Sequence, residues 1–361
     1  ARNFEVAAWA IRKHLDYVTD FRYQAKTPDE GFNRELEAWM ESVSAKERFD
    51  SARRHPLRRA IRLAEACAVK DGDIHWLKLV SGFSRGQVQA IEADRVCTPR
   101  DGIDDPENWV NGVRVGADGA SLALAICDRP KAGQATLNRI VPARNILTRG
   151  FYERFDQVRG ISPLASALNR FRDTYEGFEY ALAKTKVAQL FGLKFKRTGE
   201  ANPFGTATPT EDADGDGNND TGHEVNLGKG IFSLDLDVDE DAEILESKTP
   251  ASETVDFLKL MIHVALKSLD IPYSFFDESF TNFYGSRGGL IQYLKSCDDE
   301  IADLQEFLTG WERWRQGIAV ADGELTLPRG KDFSFIQAEW VPVGVDWWDS
   351  TKEVRGAAMA V

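Results

Sequence analysis

At 361 residues the chain is longer than one compact core ordinarily holds, so more than one substructure is expected. A hydrophobic fraction of 42%, with 9 tryptophans and 21 phenylalanines, excludes global disorder, and no run of about 18 apolar residues offers a membrane span. The formal net charge of −13 argues against a protein that grips nucleic acid by its phosphates.

The four cysteines (Cys67, Cys97, Cys127, Cys297) are widely spaced with no CxxC pair. Buried thiols in a reducing compartment are expected, and a disulfide framework or zinc knuckle is not. Both ends read as cut: the chain starts Ala1-Arg2-Asn3 and stops at Met359-Ala360-Val361, inside a helix beginning at Ser350.

In chain order, residues 2–20 place Phe4, Ala8, Ile11, Leu15 and Val18 on one helical face, and a second helix is predicted over Asn33–Val43. A third, Leu57–Val69, carries Arg58, Arg59 and Arg62 beside Arg53 and Arg54. That basic run reads either as a contact for DNA or an acidic partner, or as a solvated helix face. The period then changes. Ile74–Leu79, Gln87–Ile91, Val113–Val115 and Leu122–Cys127 read as short strands between Gly-rich turns, and Ile140–Leu147 as one more.

The stretch Arg154–Phe195 contains the most continuous helical pattern. Ser162 suits an N-cap and Pro163 the first helical position. Ile161, Leu164, Leu168, Phe171, Tyr175, Phe178 and Leu182 form an apolar stripe, with Asn169, Arg172, Asp173, Glu176 and Glu179 opposite, and Gly192 as the stop. Thr198–Gly222 is a low-complexity insert read as a mobile surface loop. Within it Asp212, Asp214, Asp216, Gly217 and Asp220 follow calcium-loop spacing. The final bidentate Glu is missing, since His223 takes its place, so the 212–220 loop reads as a calcium site or as a solvated acidic loop.

Glu224–Leu245 reads as strands around Gly228-Lys229-Gly230, which lacks P-loop spacing. Pro250 and Ser252 open a helix to Leu269 that is apolar on most sides, hence buried or packed between subunits, with His263 read as a core histidine. Helical stretches over Leu290–Leu294 and Ile301–Trp314, strand-like Glu324–Leu327, and a tryptophan-rich segment Trp340–Trp348 follow. No HExxH, GxSxG, Walker A, GxGxxG after a strand, or CxxC is present. The five histidines are scattered, so no catalytic, cofactor-binding or metal-ligating residue is assigned.

Several of these stretches together resemble one family. Gly72-Asp73 before a strand, Ile91-Glu92-Ala93-Asp94-Arg95 ending one, Gly112-Val113 to Gly119, and Ile140-Val141-Pro142-Ala143-Arg144-Asn145-Ile146-Leu147 come in order. Gln157-Val158-Arg159-Gly160-Ile161-Ser162-Pro163-Leu164-Ala165 then opens the long helix, which closes in the Ala/Lys/Val-rich segment Ala183–Ala188. The wording is similar to that of lambda-type portal proteins of tailed bacteriophages. Asp270-Ile271-Pro272-Tyr273, Asn282 to Arg287, and Trp347-Trp348-Asp349-Ser350 resemble later signatures of that family. Asp270 replaces a Gly, Gly285-Ser286-Arg287-Gly288 a Ser-Ser-Ala-Arg, and Ser350 a Pro.

The resemblance implies an α+β, mainly helical portal-type subunit with small mixed or antiparallel sheets in a wing, plus stem and clip. The wing is expected in residues 1–251, stem and clip in 252–324, and the return to the wing with the start of a crown-side helix in 325–361. It implies a homo-oligomeric ring, expected to be a dodecamer, at the capsid vertex of the virion and assembled in the host cytoplasm. Double-stranded DNA would pass without sequence specificity. Terminase, capsid or scaffold proteins and head-completion proteins would be partners, with no membrane, cofactor or enzymatic step. A scaffold or adaptor without a channel, or a hydrolase with dispersed residues, is the alternative.

Overall fold

The computed structural model describes residues 4–99, 101–131, 134–190, 193–197, 240–244, 252–277, 279 and 283–344. The 198–222 insert with its acidic loop, the 224–239 segment, Asn282 and the 347–353 signature lie outside the described residues.

Helix α1 (Glu5–Val18) buries Val6, Ala7, Ala10, Ile11, His14, Leu15 and Val18, a stripe at steps of three and four. Strand β1 (Phe21–Ala25) follows and was not expected. Helix α2 (Glu30–Val43) starts three residues before the apolar pattern does, because Asp29 caps it, accepting from the Phe32 N–H at 3.0 Å. After the single turn α3 (Lys46–Phe49), α4 (Leu57–Asp71) runs to Gly72, whose φ of +100° ends it.

The strands are β2 (Asp73–Lys78), β3 (Val88–Glu92), β4 (Trp109–Val110), β5 (Val113–Val115), β6 (Ser121–Lys131), β7 (Gln134–Pro142) and β8 (Ile146–Gly150). They build two antiparallel sheets, β3-β2-β8 and β4-β5-β6-β7. The single strand expected over Ile140–Leu147 is instead two. A 3₁₀ turn at Ala143–Asn145 separates β7 in one sheet from β8 in the other. The central strand β2 is buried on both faces, while β3 and β8 beside it each keep exposed positions. Ile74, Trp76 and Val88 pack with the helices, while Leu77 and Ile91 pack with Val113, Leu124 and Ile126 of the four-stranded sheet.

Ser162 does cap, accepting from the Leu164 N–H at 3.2 Å, but it caps a 3₁₀ turn (Pro163–Ala167) that leads into helix α5 (Leu168–Leu190). Strands β9 (Leu193–Arg197) and β10 (Glu240–Ile244) pair antiparallel. Helix α6 (Ser252–Leu266) extends through a 3₁₀ turn to Leu269. Asp270, standing where the family signature has Gly, is left-handed at φ +53°. Glycine suits such a position, and Asp is among the few other residues that occupy it at modest cost.

Helix α7 (Phe283–Ala321) is one element of 39 residues where two short ones were expected. Tyr293, Cys297, Leu304, Phe307, Leu308, Trp311 and Ala319 hold one buried stripe along it. The strand expected at Glu324–Leu327 does not form. Gly323 turns at φ +73°, and the N–H groups of Glu324 and Leu325 close back onto Ala319 O at 2.8 and 3.2 Å, capping α7. Strand β11 (Ala338–Pro342) pairs with β1, Phe21 opposite Pro342. Buried Glu312 of α7 holds this pair, accepting from Tyr23 Oη at 3.1 Å and from Trp340 Nε1 at 2.9 Å.

By its contacts the chain divides into two units, one of residues 1–175 with 259–361 and one of residues 176–258. The division falls inside α5 and α6. The main core, from α1, α2, α4, β2, α6 and α7, belongs to the larger unit.

Candidate assembly surface

Most of the motifs that suggested a family meet at one side chain. Arg159 binds Asp73 with both arms, Nε to Oδ2 at 2.6 Å and Nη2 to Oδ1 at 2.8 Å. It also donates to the carbonyls of Val96 (2.5 Å), Asn111 (2.9 Å) and Ala93 (3.1 Å). The Gly72-Asp73 pair, the 91–95 segment, the hairpin at Gly112 and the entry to α5 are thereby tied together. Gly72 and Gly160 lie backbone against backbone: a Cβ on Gly160 would stand 2.1 Å from Gly72 O. That contact leaves no room for a side chain. Burial alone would raise the Asp73 carboxyl, but the hydrogen bonds and charge of Arg159, with the His75 ring nearby, more than offset this and hold it well below the usual carboxylate range.

A second charged cluster lies inside the larger unit. Glu65 of α4 meets His14 Nε2 at 3.2 Å and Arg149 Nε at 3.0 Å. Arg149, 2% exposed, also reaches Glu300 (2.5 Å) and Asp303 (3.2 Å) of α7. Burial pushes Glu65 up, yet the His14 hydrogen bond and the Arg149 charge lower it overall. For Glu300 and Asp303 burial prevails and both are raised. This cluster locks α1, α4, β8 and α7 into one arrangement. It was unreadable from sequence, since its members are 51 to 154 positions apart.

One arrangement has the connectivity of a catalytic relay. Thr148 Oγ1 lies 2.9 Å from His75 Nδ1, and His75 Nε2 lies 3.4 Å from Asp73 Oδ1. Its chemistry does not follow through. The oxygens of Asp73 are taken by Arg159 and by the Gly160 N–H, and His75 Nε2 has no hydrogen-bond partner. A general base held by a carboxylate needs that bond. His75 and Thr148 are cross-strand neighbours in β2 and β8, and the contact is part of the sheet. No group of three or more His, Cys, Asp or Glu side chains able to hold a metal occurs among the described residues.

Two arginines of the basic run are paired within the chain. Arg62 pairs with Asp16 at 2.7 Å and Arg58 with Asp20 at 3.1 Å, while Arg53 lies over the Phe83 ring. The apolar faces, by contrast, are left open. Of the α5 stripe only Leu164 and Phe171 are buried, while Leu168 is 62% exposed and Ile161, Tyr175, Phe178 and Leu182 face solvent. On α6, Phe257, Leu260 and Val264 are exposed as well, so within the single chain the helix is buried on one face only. His263 is on the surface, stacked on Tyr273 at 5.3 Å, and is not the core histidine expected. In the larger unit Phe4, Ala7, Leu164, Leu168, Phe171 and Tyr175 line an apolar pit of about 370 Å³. No helix among the described residues is long and apolar enough to cross a membrane.

Open apolar helix faces of this extent are what a subunit that assembles carries. The model of the phage portal protein, lambda family, matches residues 1–299, and the chain belongs to that family. Among curated proteins none matches. Solved structures are similar as well, among them three from gene transfer agent particles. A chain of the virion of a native gene transfer agent particle is 11% identical with a TM-score of 0.52, over 98% of this chain and 83% of that one. A chain of the neck of an empty gene transfer agent particle is 13% identical with a TM-score of 0.55, over 98% and 85%. A chain of the neck of the native particle, computed with C12 symmetry, is 12% identical with a TM-score of 0.50, over 85% and 77%. At such identities the likeness concerns the fold. The protein is a phage portal protein of the α+β class anticipated from its sequence.

Proposed function

We propose that copies of this chain close head-to-tail into a ring, a dodecamer, at one vertex of a virion, and that double-stranded DNA passes through its centre during packaging and ejection. The carrying observation is the set of unpartnered apolar faces on α5 and α6 in a member of the portal family. A ring needs heterologous interfaces, one face of each subunit against a different face of the next, and such faces are the raw material. The C12 symmetry used for a similar neck particle supports twelve copies. The net charge of −13 supports a lining that repels phosphate and lets the duplex slide.

Acidic or polar residues between Ser252 and Trp314, apart from Glu300, Asp303 and Glu312 that bond inside the larger unit, line the tunnel in this reading. Terminase, capsid or scaffold proteins and head-completion proteins dock on the ring, and assembly takes place in the host cytoplasm. The larger unit supplies the wing, and the β1–β11 pairing supports the return of residues 325–361 to it. We assign stem and clip to residues 176–258, N-terminal of the 252–324 segment expected from sequence. The buried stripe of α7 belongs to the core of the larger unit, which supports this shift. Electron micrographs and the particle mass of full-length protein test the proposal. Open annuli of about twelve copies are expected; a monomer, a dimer or a plugged ring refutes it. Replacing several tunnel carboxylates by Lys slows DNA passage, and unchanged packaging argues against the lining.

A further inference from the structure

The edge of the three-stranded sheet presents a surface open to strand pairing. In the order β3-β2-β8, β3 is an edge strand. Leu79 N–H donates to Gln87 O at 3.0 Å, while Ser51 N–H donates to Val88 O at 3.0 Å from the other side. Peptide groups alternate in direction along a strand. Gln89 and Ile91 therefore bond to Leu77 and His75 of β2, and Ala90 and Glu92 point their N–H and C=O groups outward. The Asp50–Ser51 segment makes one parallel bridge to Val88 and then turns away at Arg53, φ +55°. Beyond it, no loop or side chain among the described residues bonds to the main chain of Ala90 or Glu92.

Alongside that edge runs a groove of about 430 Å³, between Ile74, Trp76 and Ala90 of the sheet and Ala60, Leu63 and Cys67 of α4. Alanines at 60 and 90 keep it open. Its charged groups are Asp50, Arg54, Glu92 and Arg95, with His55 beside them. Both carboxylates have their oxygens engaged. Asp50 accepts from the N–H groups of Ala52, Arg54 and His55, and Glu92 pairs with Arg129. Arg95 gives its Nε to Cys127 O. The Arg54 side chain is exposed with no partner among the described residues, and His55 Nδ1 is buried without one among them. With the oxygens of Asp50 engaged by backbone N–H groups, the Arg54 guanidinium is the lining cation open to an incoming carboxylate.

We propose that this edge and groove receive an extended segment of another protein chain, which pairs its backbone with Ala90 and Glu92, lays an apolar side chain beside Ala90 and sets a carboxylate at Arg54. Strand addition of this kind draws affinity from main-chain bonds and specificity from alternate side chains. An uncovered edge is otherwise a liability that folds suppress. The inference does not rest on the ring.

The test uses full-length protein and a labelled peptide alternating Leu and Glu over seven residues, with a Leu/Lys peptide as control, read by fluorescence anisotropy and amide hydrogen exchange. Saturable binding of the Leu/Glu peptide below about 1 mM is expected, with slowed exchange at Ala90 and Glu92. Ala90→Pro removes one outward N–H without touching the β2 ladder, and edge positions tolerate proline. Arg54→Glu changes only an exposed side chain. Each should weaken binding about tenfold or more, and Arg54→Glu keeps the test decisive if Ala90→Pro does not fold. No saturable binding, equal binding of the Leu/Lys peptide, or binding without protection at Ala90 overturns the proposal. So does protection of Ala90 in assembled protein without peptide, which gives the groove to a neighbouring copy.

Discussion

The junction around Arg159 and the outer faces of α5 and α6 are opposite solutions in one molecule. At the junction a guanidinium makes its bonds inside the chain, two to a carboxylate and three to carbonyls from separate loops. On the helices, leucine, phenylalanine and tyrosine are left facing water. The difference teaches that the stretches by which the family is recognised record how the subunit is closed on itself, while the surfaces by which it assembles carry no comparable wording. A motif can identify a conduit without containing any residue of its wall.

The contrast can be broken most forcefully at the junction. Arg159→Ala leaves Asp73, 1% exposed, as a buried carboxylate without its cation, and the loss expected is about 3–5 kcal/mol by urea denaturation. A loss below about 1 kcal/mol would show that the junction is incidental. Acid titration probes the same pair without mutation. The folded-state value of Asp73 is depressed, so its stabilisation is fully present above the unfolded carboxylate value of about 3.9 and is lost as pH falls below that value toward the folded one. In Asp73→Asn the stability–pH curve should be flatter over that acid window, and an unchanged slope speaks against the assignment.

The faces respond differently. Leu168→Glu and Phe257→Glu should leave the stability of the isolated subunit within about 0.5 kcal/mol, yet abolish assembly in sedimentation. If assembly persists, those faces lie outside the interface. Smallest of all is the exposed basic run. Arg58→Ala and Arg62→Ala break partly exposed pairs with Asp20 and Asp16 and should cost about 0–1 kcal/mol, with DNA passage unaltered.

How much of this was legible in the sequence depends on the range of the contact involved. Local signals were readable: the apolar period of α1, the helix over Leu57–Val69, and Ser162 with Pro163. Strand β1 was not, because FRYQA has little pattern of its own and its partner β11 lies more than 300 positions away. Helix α7 was divided because Gly288-Gly289 and the charged Asp298-Asp299-Glu300 interrupt the local pattern, while its continuity comes from tertiary burial of Tyr293 through Trp311. The motifs were visible as wording, but that Arg159 is what binds them was not. Its partners are 48 to 86 positions away, and no spacing rule spans such distances. The α5 stripe was read correctly as apolar, and only the structure distinguishes its two buried members from its five open ones.

Hydroxyl-radical footprinting of full-length protein, assembled against dissociated, tests most directly whether the open helix faces are where copies meet. The account predicts that Leu168, Tyr175, Phe257 and Leu260 are oxidised several-fold more slowly in the assembled particle, while Phe83, exposed at the tip of a loop, reacts equally in both. Equal oxidation of all five would contradict it.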